Sequence, residues 1–221
     1  MLNNENNEMD TNKVMIAGKL KKELEFSHSI YGEGFYNTYI EIPRLSNIKD
    51  VLPITVSERL IQGMKLKAGN HILIEGQLRS YNKTINGNNK LILSIFVKEL
   101  ELIPSLKEIK NPNEIYLDGF ICKNPSYRTT PFGREITDLL IAVNRPYNKS
   151  DYIPCIAWGR NARFSGNLDI GQRIKLWGRI QSREYQKKYP NGEIVNKVAY
   201  EVSISKMEFS SEKKEEEKDT I

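Results

Sequence analysis

The feature that most constrains the fold is an internal repeat. GNHILIEGQLRSY at 69–81 and GQRIKLWGRIQSREY at 171–185 each carry two glycines seven residues apart, Gly69 with Gly76 and Gly171 with Gly178, and the second pair lies 102 residues after the first. The correspondence continues in order along the chain. VMIAG ending at Gly18 matches IYLDG ending at Gly119, YIEIPR (39–44) matches LIAVNR (140–145), and LPITVS (52–57) matches IPCIAW (153–158). SIFVKELEL (94–102) resembles SISKMEF (203–209), displaced further because the loop before it is longer in the second copy. A chain of 221 residues thus divides into two domains of about 100 residues, each large enough to bury its own core.

Each copy consists of short alternating apolar segments punctuated by turn signals such as NGNN at 86–89 and YPNG at 189–192, which is the pattern of strands. The exceptions, ERLIQGMKLKAG (58–69) and RNARFSGNLDIG (160–171), suit a short helix or turn between the third and fourth strands. That layout predicts an all-β protein of two tandem OB-fold five-stranded barrels, each with a short helix between strands 3 and 4. The expected division is a flexible N-terminal tail at 1–11, a first barrel at 12–104, a linker at 105–112, a second barrel at 113–209 and a charged disordered tail at 210–221.

The chemistry-bearing residues are sparse. Two cysteines and two histidines, with neither C-x-x-C nor H-x-x-x-H spacing, predict no metal site, and Cys122 and Cys155 read as small buried hydrophobes. Scattered acids, no recognisable nucleophile–base spacing and no phosphate-cradling glycine loop predict a protein that is not an enzyme and holds no cofactor. The segment MLNNENNEMDTN has no apolar stretch, and no run of about 18 apolar residues occurs, so the expected location is cytoplasmic.

Charge points to an anionic partner. Residues 12–104 hold 13 basic against 9 acidic side chains, residues 113–209 hold 15 against 10, and the arginines divide three to eight. Guanidinium groups fork onto phosphates and stack on bases, so the second copy is the stronger nucleic-acid candidate. The two-residue period of a strand places Ile153, Cys155 and Ala157 inward and Tyr152, Pro154, Ile156 and Trp158 outward. On the next long strand Ile174, Leu176 and Ile180 point in, leaving Lys175, Trp177, Arg179, Arg183 and Tyr185 as an outward stripe of cations and rings. Trp177 reads equally as a subunit contact or a nucleic-acid contact. The first copy offers Thr55 and Ser57 on the matching face, so its binding face reads as degenerate, with Tyr31 and Phe35 at a glycine-flanked hairpin tip.

NEIYLDGFICKNPSYRTTPFGREITDLLIAVNR, DYIPCIAWGRNA and LDIGQRIKLWGRIQSREY together resemble the bacterial single-stranded DNA-binding protein family across the second domain; the first resembles it only through the repeat and GQLRSY. The resemblance implies stacking roles for Tyr147, Tyr152, Trp158 and Tyr185, and a phosphate path along Arg145, Lys149, Arg160, Arg179 and Arg183. It implies sequence-tolerant binding of single-stranded DNA in replication, recombination or repair, near the nucleoid, by a homodimer presenting four barrels. In that family an acidic tail with a hydrophobic tip recruits replication and repair proteins. Here Ile221 stands where the family has Pro-Phe, and Lys213, Lys214 and Lys218 dilute the acids. Two other functions fit the same residues: a primosome-like or phage accessory protein acting through protein contacts, and single-stranded RNA binding.

Overall fold

The four repeated glycines stand where the backbone can take no other residue cheaply. In the computed structural model, which describes residues 11–209 apart from 47, 86, 190 and 191, Gly69 and Gly171 have φ of 97° and 88°, the left-handed region that favours glycine. Their N–H groups donate to Leu20 and Ile121 carbonyls, both at 2.7 Å, turning the chain into the fourth barrel strand. Gly76 and Gly178 sit instead at register shifts in the long hairpins, where a Cβ would strike the carbonyl oxygens of Phe96 and Ser203 respectively. Each shift leaves one extra residue on the partner strand, Lys98 or Ser205, a bulge that bends the hairpin around the barrel.

The first copy comprises β1 (Asn12–Leu20), β2 (Glu25–Ile30), β3 (Glu33–Pro43), β4 (Lys49–Ser57), α1 (Glu58–Ile61), β5 (His71–Ile85) and β6 (Asn88–Ile103). The second comprises β7 (Asn113–Ile121), β8 (Ser126–Thr129), β9 (Glu135–Arg145), β10 (Lys149–Trp158), α2 (Arg160–Ser165), β11 (Arg173–Lys188) and β12 (Ile194–Phe209). Five strands close each barrel: β1–β3–β4–β6–β5 returns to β1 and β7–β9–β10–β12–β11 returns to β7, with β4–β6 and β10–β12 parallel and the other pairs antiparallel. This is the expected all-β OB-fold architecture. It differs in strand number, because β2 and β8 add a sixth strand against β3 and β9. Every described side chain of these two strands is exposed, so no apolar alternation marks them in the sequence.

Inward residues fill both barrels. Val14, Ile16, Ile54, Ile72, Ile74 and Ile95 pack the first; Ile115, Leu117, Ile141, Ile153, Cys155 and Ile174 pack the second. Burial pushes the Cys155 thiol up from its ordinary range, consistent with a packing residue. Ser57 caps α1 by accepting the Arg59 N–H at 3.2 Å. In the second barrel the buried Thr137 hydroxyl donates to the Ala162 carbonyl at 2.7 Å, fastening α2 over the barrel floor.

The barrels join edge to edge. β1 pairs antiparallel with β7, Val14 opposite Ile115, so the twelve strands form one continuous sheet. Around this seam the repeat produces contacts in twos. Asn12 brackets the backbone of Leu78 (2.8 and 3.0 Å) and Asn113 brackets that of Ile180 (2.7 and 2.9 Å). Asp151 accepts the Ser80 N–H at 2.6 Å, and Asp50 accepts the Ser182 N–H at 2.7 Å. Arg44 forks onto Asp50 at 2.7 and 2.6 Å, while Arg145 approaches Asp151 to 3.0 Å. The two halves are therefore related by an internal two-fold arrangement.

Candidate nucleic-acid interface

Strand β10 supplies the outer wall of the second barrel. Its inward residues Ile153, Cys155 and Ala157 are buried, while Tyr152 and Trp158 are 45% and 39% exposed. Ile156, expected outward, is only 4% exposed; in register it lies between Asp138 on β9 and Ser203 on β12. The turn leading into β10 presents Tyr147, 94% exposed, with φ of 63°, followed by Asn148 at 54°. A tyrosine held fully exposed in the left-handed region is strained without any packing gain, and such outliers concentrate at functional positions. Lys149 begins β10 and is exposed; Arg160 begins α2, two residues beyond Trp158, and is exposed.

Strand β11 carries the outward stripe in two separate groups. Near its start, the half-buried Trp177 lies against Tyr116 of β7 (centroids 5.1 Å apart) with the Lys206 ammonium 4.5 Å above its ring; Lys175 stands on the same face, opposite Asp118 and Glu208. Eight residues on, Tyr185 is 38% exposed with the Arg183 guanidinium 5.8 Å from its ring centre. At about 3.3 Å per strand residue this puts roughly 26 Å of strand between the two rings. Tyr185 therefore shares its end of the barrel with Tyr152 and Tyr147, and Trp177 belongs to the far end, at the level of Trp158.

Two arginines expected on the phosphate path serve the seam. Arg145 is drawn to Asp151, and Arg179 lies 3.9 Å from Asp50 with its Nη2 donating to the Gln181 side chain at 3.2 Å. Both keep part of the guanidinium in solvent. Burial lowers the pKa of Arg179, and the neighbouring Arg44 adds to that. Arg183 is shared with Glu201, which also accepts from Gln181 at 2.8 Å.

Three features escape a reading of the sequence. Phe132 stands 92% exposed at the β8–β9 tip, beside Arg134; an aromatic between Pro131 and Gly133 is a legible signal for it. Tyr189, which sequence reading treats as part of a turn, accepts the Lys197 ammonium at 2.6 Å, with Lys187 and Lys197 each 5.2 Å from its ring. That hydrogen bond lowers the tyrosine's pKa. The third is on the first barrel: Arg79 stacks on Phe96 at 3.7 Å, next to Phe35 and His28.

Residues 112–210 match the single-strand binding protein family. Single-stranded DNA-binding protein 1 of Staphylococcus aureus (strain COL) is 36% identical over 81 residues, which are 34% of this chain and 48% of that protein. The chain thus spans about half the length of the curated relatives it matches. The wild-type single-stranded DNA binding protein from Thermus aquaticus superposes over 90% of this chain and 93% of its own, with a TM-score of 0.70 and 17% identity. That likeness bears on the fold, and it spans both barrels. The dimeric N-terminal domain of PriB protein from Thermoanaerobacter tencongensis is 50% identical over 42% of this chain and 98% of that chain, at a TM-score of 0.38. The likeness to the single-strand binding protein family thus falls on the second barrel, residues 112–210.

Proposed function

We propose that the chain binds single-stranded DNA without sequence preference, without catalysis, and protects it during replication, recombination or repair. The observation that carries this reading is the row of exposed rings on the second barrel. Tyr152, Trp158 and Tyr185 project from strands whose inward neighbours are buried, Tyr147 projects from the turn before β10, and Lys149, Arg160 and Arg183 stand among them. Unpaired bases stack on such rings whatever their identity, while the cations follow the phosphates. At the far end, Trp177, packed with Tyr116 and Lys206, and Lys175, opposite Asp118 and Glu208, fit a subunit contact better than a base contact. The acting form is a homodimer of four barrels in the cytoplasm. Partner recruitment by 210–221 lies outside the described residues.

Titration with poly(dT) tests the reading. Both tryptophans lie in the second barrel, so binding quenches their fluorescence and weakens steeply with salt. No response at low salt sinks the proposal and leaves protein contacts as the role of the barrels. Competition between matched DNA and RNA oligomers separates the two sugars.

A further inference from the structure

The sheet that holds the seam carries two unlike rows of side chains on its outward side. Its strands run β6–β5–β1–β7–β11–β12 without a break, and register lines up the residues that face away from the barrel cores. One row is Glu99, Glu75, Met15 and Glu114, on β6, β5, β1 and β7 in turn. The other is Lys206, Trp177, Tyr116 and Lys13, on β12, β11, β7 and β1. All of them are at least partly exposed. With strands ~4.8 Å apart each row is about 14 Å long, and a two-residue step along the strands sets the rows about 7 Å apart. The internal two-fold arrangement exchanges them position for position: Glu99 with Lys206, Glu75 with Trp177, Met15 with Tyr116 and Glu114 with Lys13.

Neither row is satisfied within its own chain. Glu75 stands directly opposite Glu99, which is destabilising for like charges. Among the described residues no ion pair involves Glu75, Glu99, Glu114 or Lys13. Lys206 lies 4.5 Å above the Trp177 ring and reaches Glu208 at 2.7 Å, an exposed pair of the kind that holds weakly. The glutamates repel phosphates, so this face does not suit a nucleic-acid strand. Rows of opposite character related by a two-fold make a surface that is its own complement. A further two-fold axis, parallel to β1 and lying over the face, sets the first barrel of each copy on the second barrel of the other. Glu99 then comes over Lys206, Glu75 over Trp177 and Met15 over Tyr116, at offsets of about 7 Å that long side chains span.

We propose that two copies of the chain associate through this face, the glutamate row of one copy against the Trp177–Lys206 row of its partner. Each contact occurs twice about the axis, the glutamates gain cations, and Met15 covers rings that are half-open in the single chain. Glu75 is one side of a joint whose other side is Trp177, and the difference between the two barrels is what lets the joint form. Two identical barrels would oppose like rows instead. This rests on the proposed homodimer and assigns its surface.

Sedimentation velocity of the full chain over a range of concentrations tests it, with Glu99→Lys and Lys206→Glu variants, both at exposed positions. Poly(dT) titration of the same samples reports strand binding separately. Each variant alone sets like charges together twice per dimer, so its dissociation constant is expected to rise about tenfold or more. An equimolar mixture of the two variants restores unlike pairs at both ends, and its association is expected to return to within about threefold of the unmodified chain. Variants that associate as tightly as the unmodified chain place the dimer contact elsewhere and overturn the inference, while the homodimer stands. Weakened variants whose mixture stays weak also overturn it, because the two rows then do not meet. An unmodified chain that stays monomeric at every concentration overturns the homodimer and this surface together.

Discussion

Trp158 and Tyr147 present the same chemistry on opposite structural terms, and substitution separates binding from folding at each. Trp158 ends a regular strand and is partly exposed. Its replacement by alanine removes one stacking partner, so affinity for poly(dT) falls by about 1–3 kcal/mol, roughly five- to 150-fold, with the thermal midpoint little changed. Tyr147 occupies a backbone region that suits glycine, with φ of 63°. Tyr147→Gly is expected to keep or raise the unfolding free energy by up to about 1 kcal/mol in a urea titration, while poly(dT) affinity drops by a stacking contribution like that of Trp158. A structural role for the ring would instead reduce stability. The alternation along IPCIAW makes Trp158 legible despite the buried Ile156, whereas Tyr147 lies in the turn before that strand and is marked only by the family resemblance. The sequence does not reveal Phe96, since SIFVKELEL shows only that Ile95 and Val97 point inward; what Phe96 meets depends on the register with Arg79 across the hairpin.

At the scale of elements, the glycine spacing made the fold readable because it records two backbone requirements, a left-handed turn and a bulge, that recur in each barrel. Gly178→Ala places a methyl against the Ser203 carbonyl and is expected to lower stability by about 1–3 kcal/mol, read from the urea midpoint. The seam left no local trace. Ser182 and Asp50 are 132 residues apart, and neither stands out in its own segment. Magnitudes identify it as structural. Asp50 has a side chain 1% exposed, bonded to Arg44 and Ser182, so Asp50→Ala leaves a poorly solvated guanidinium and an unpaired N–H and costs about 3–5 kcal/mol. The exposed pair Arg128–Asp138, at 3.0 Å, contributes about 0–1 kcal/mol by comparison, and Asp138→Ala serves as the control in the same denaturation experiment. The extra strands β2 and β8 stayed hidden for the opposite reason: they bury nothing, and only their pairing to β3 and β9 defines them.

At the scale of the molecule, the number of phosphates neutralised is readable from salt. Single strands release about 0.7 counterions per contact, so Lys149, Arg160 and Arg183 alone predict a slope of log affinity against log salt of about −2 for a short oligomer. A longer oligomer that meets further cations gives a steeper slope. A slope near zero would show that stacking alone carries binding and would remove the cations from the site.

The β1–β7 seam also changes what dilution can do. Two barrels on separate chains would part as protein concentration fell, whereas here a short connection between Ile103 and Asn113 keeps them at a fixed, high effective concentration. Their pairing is thus insensitive to how many copies a cell makes. Fusion also lifts the demand that both sides of the joint be encoded identically, and the reversed order of Gln77–Arg79 and Arg179–Gln181 across the joint is what such freedom leaves behind: two halves that still fit each other while drifting toward different work.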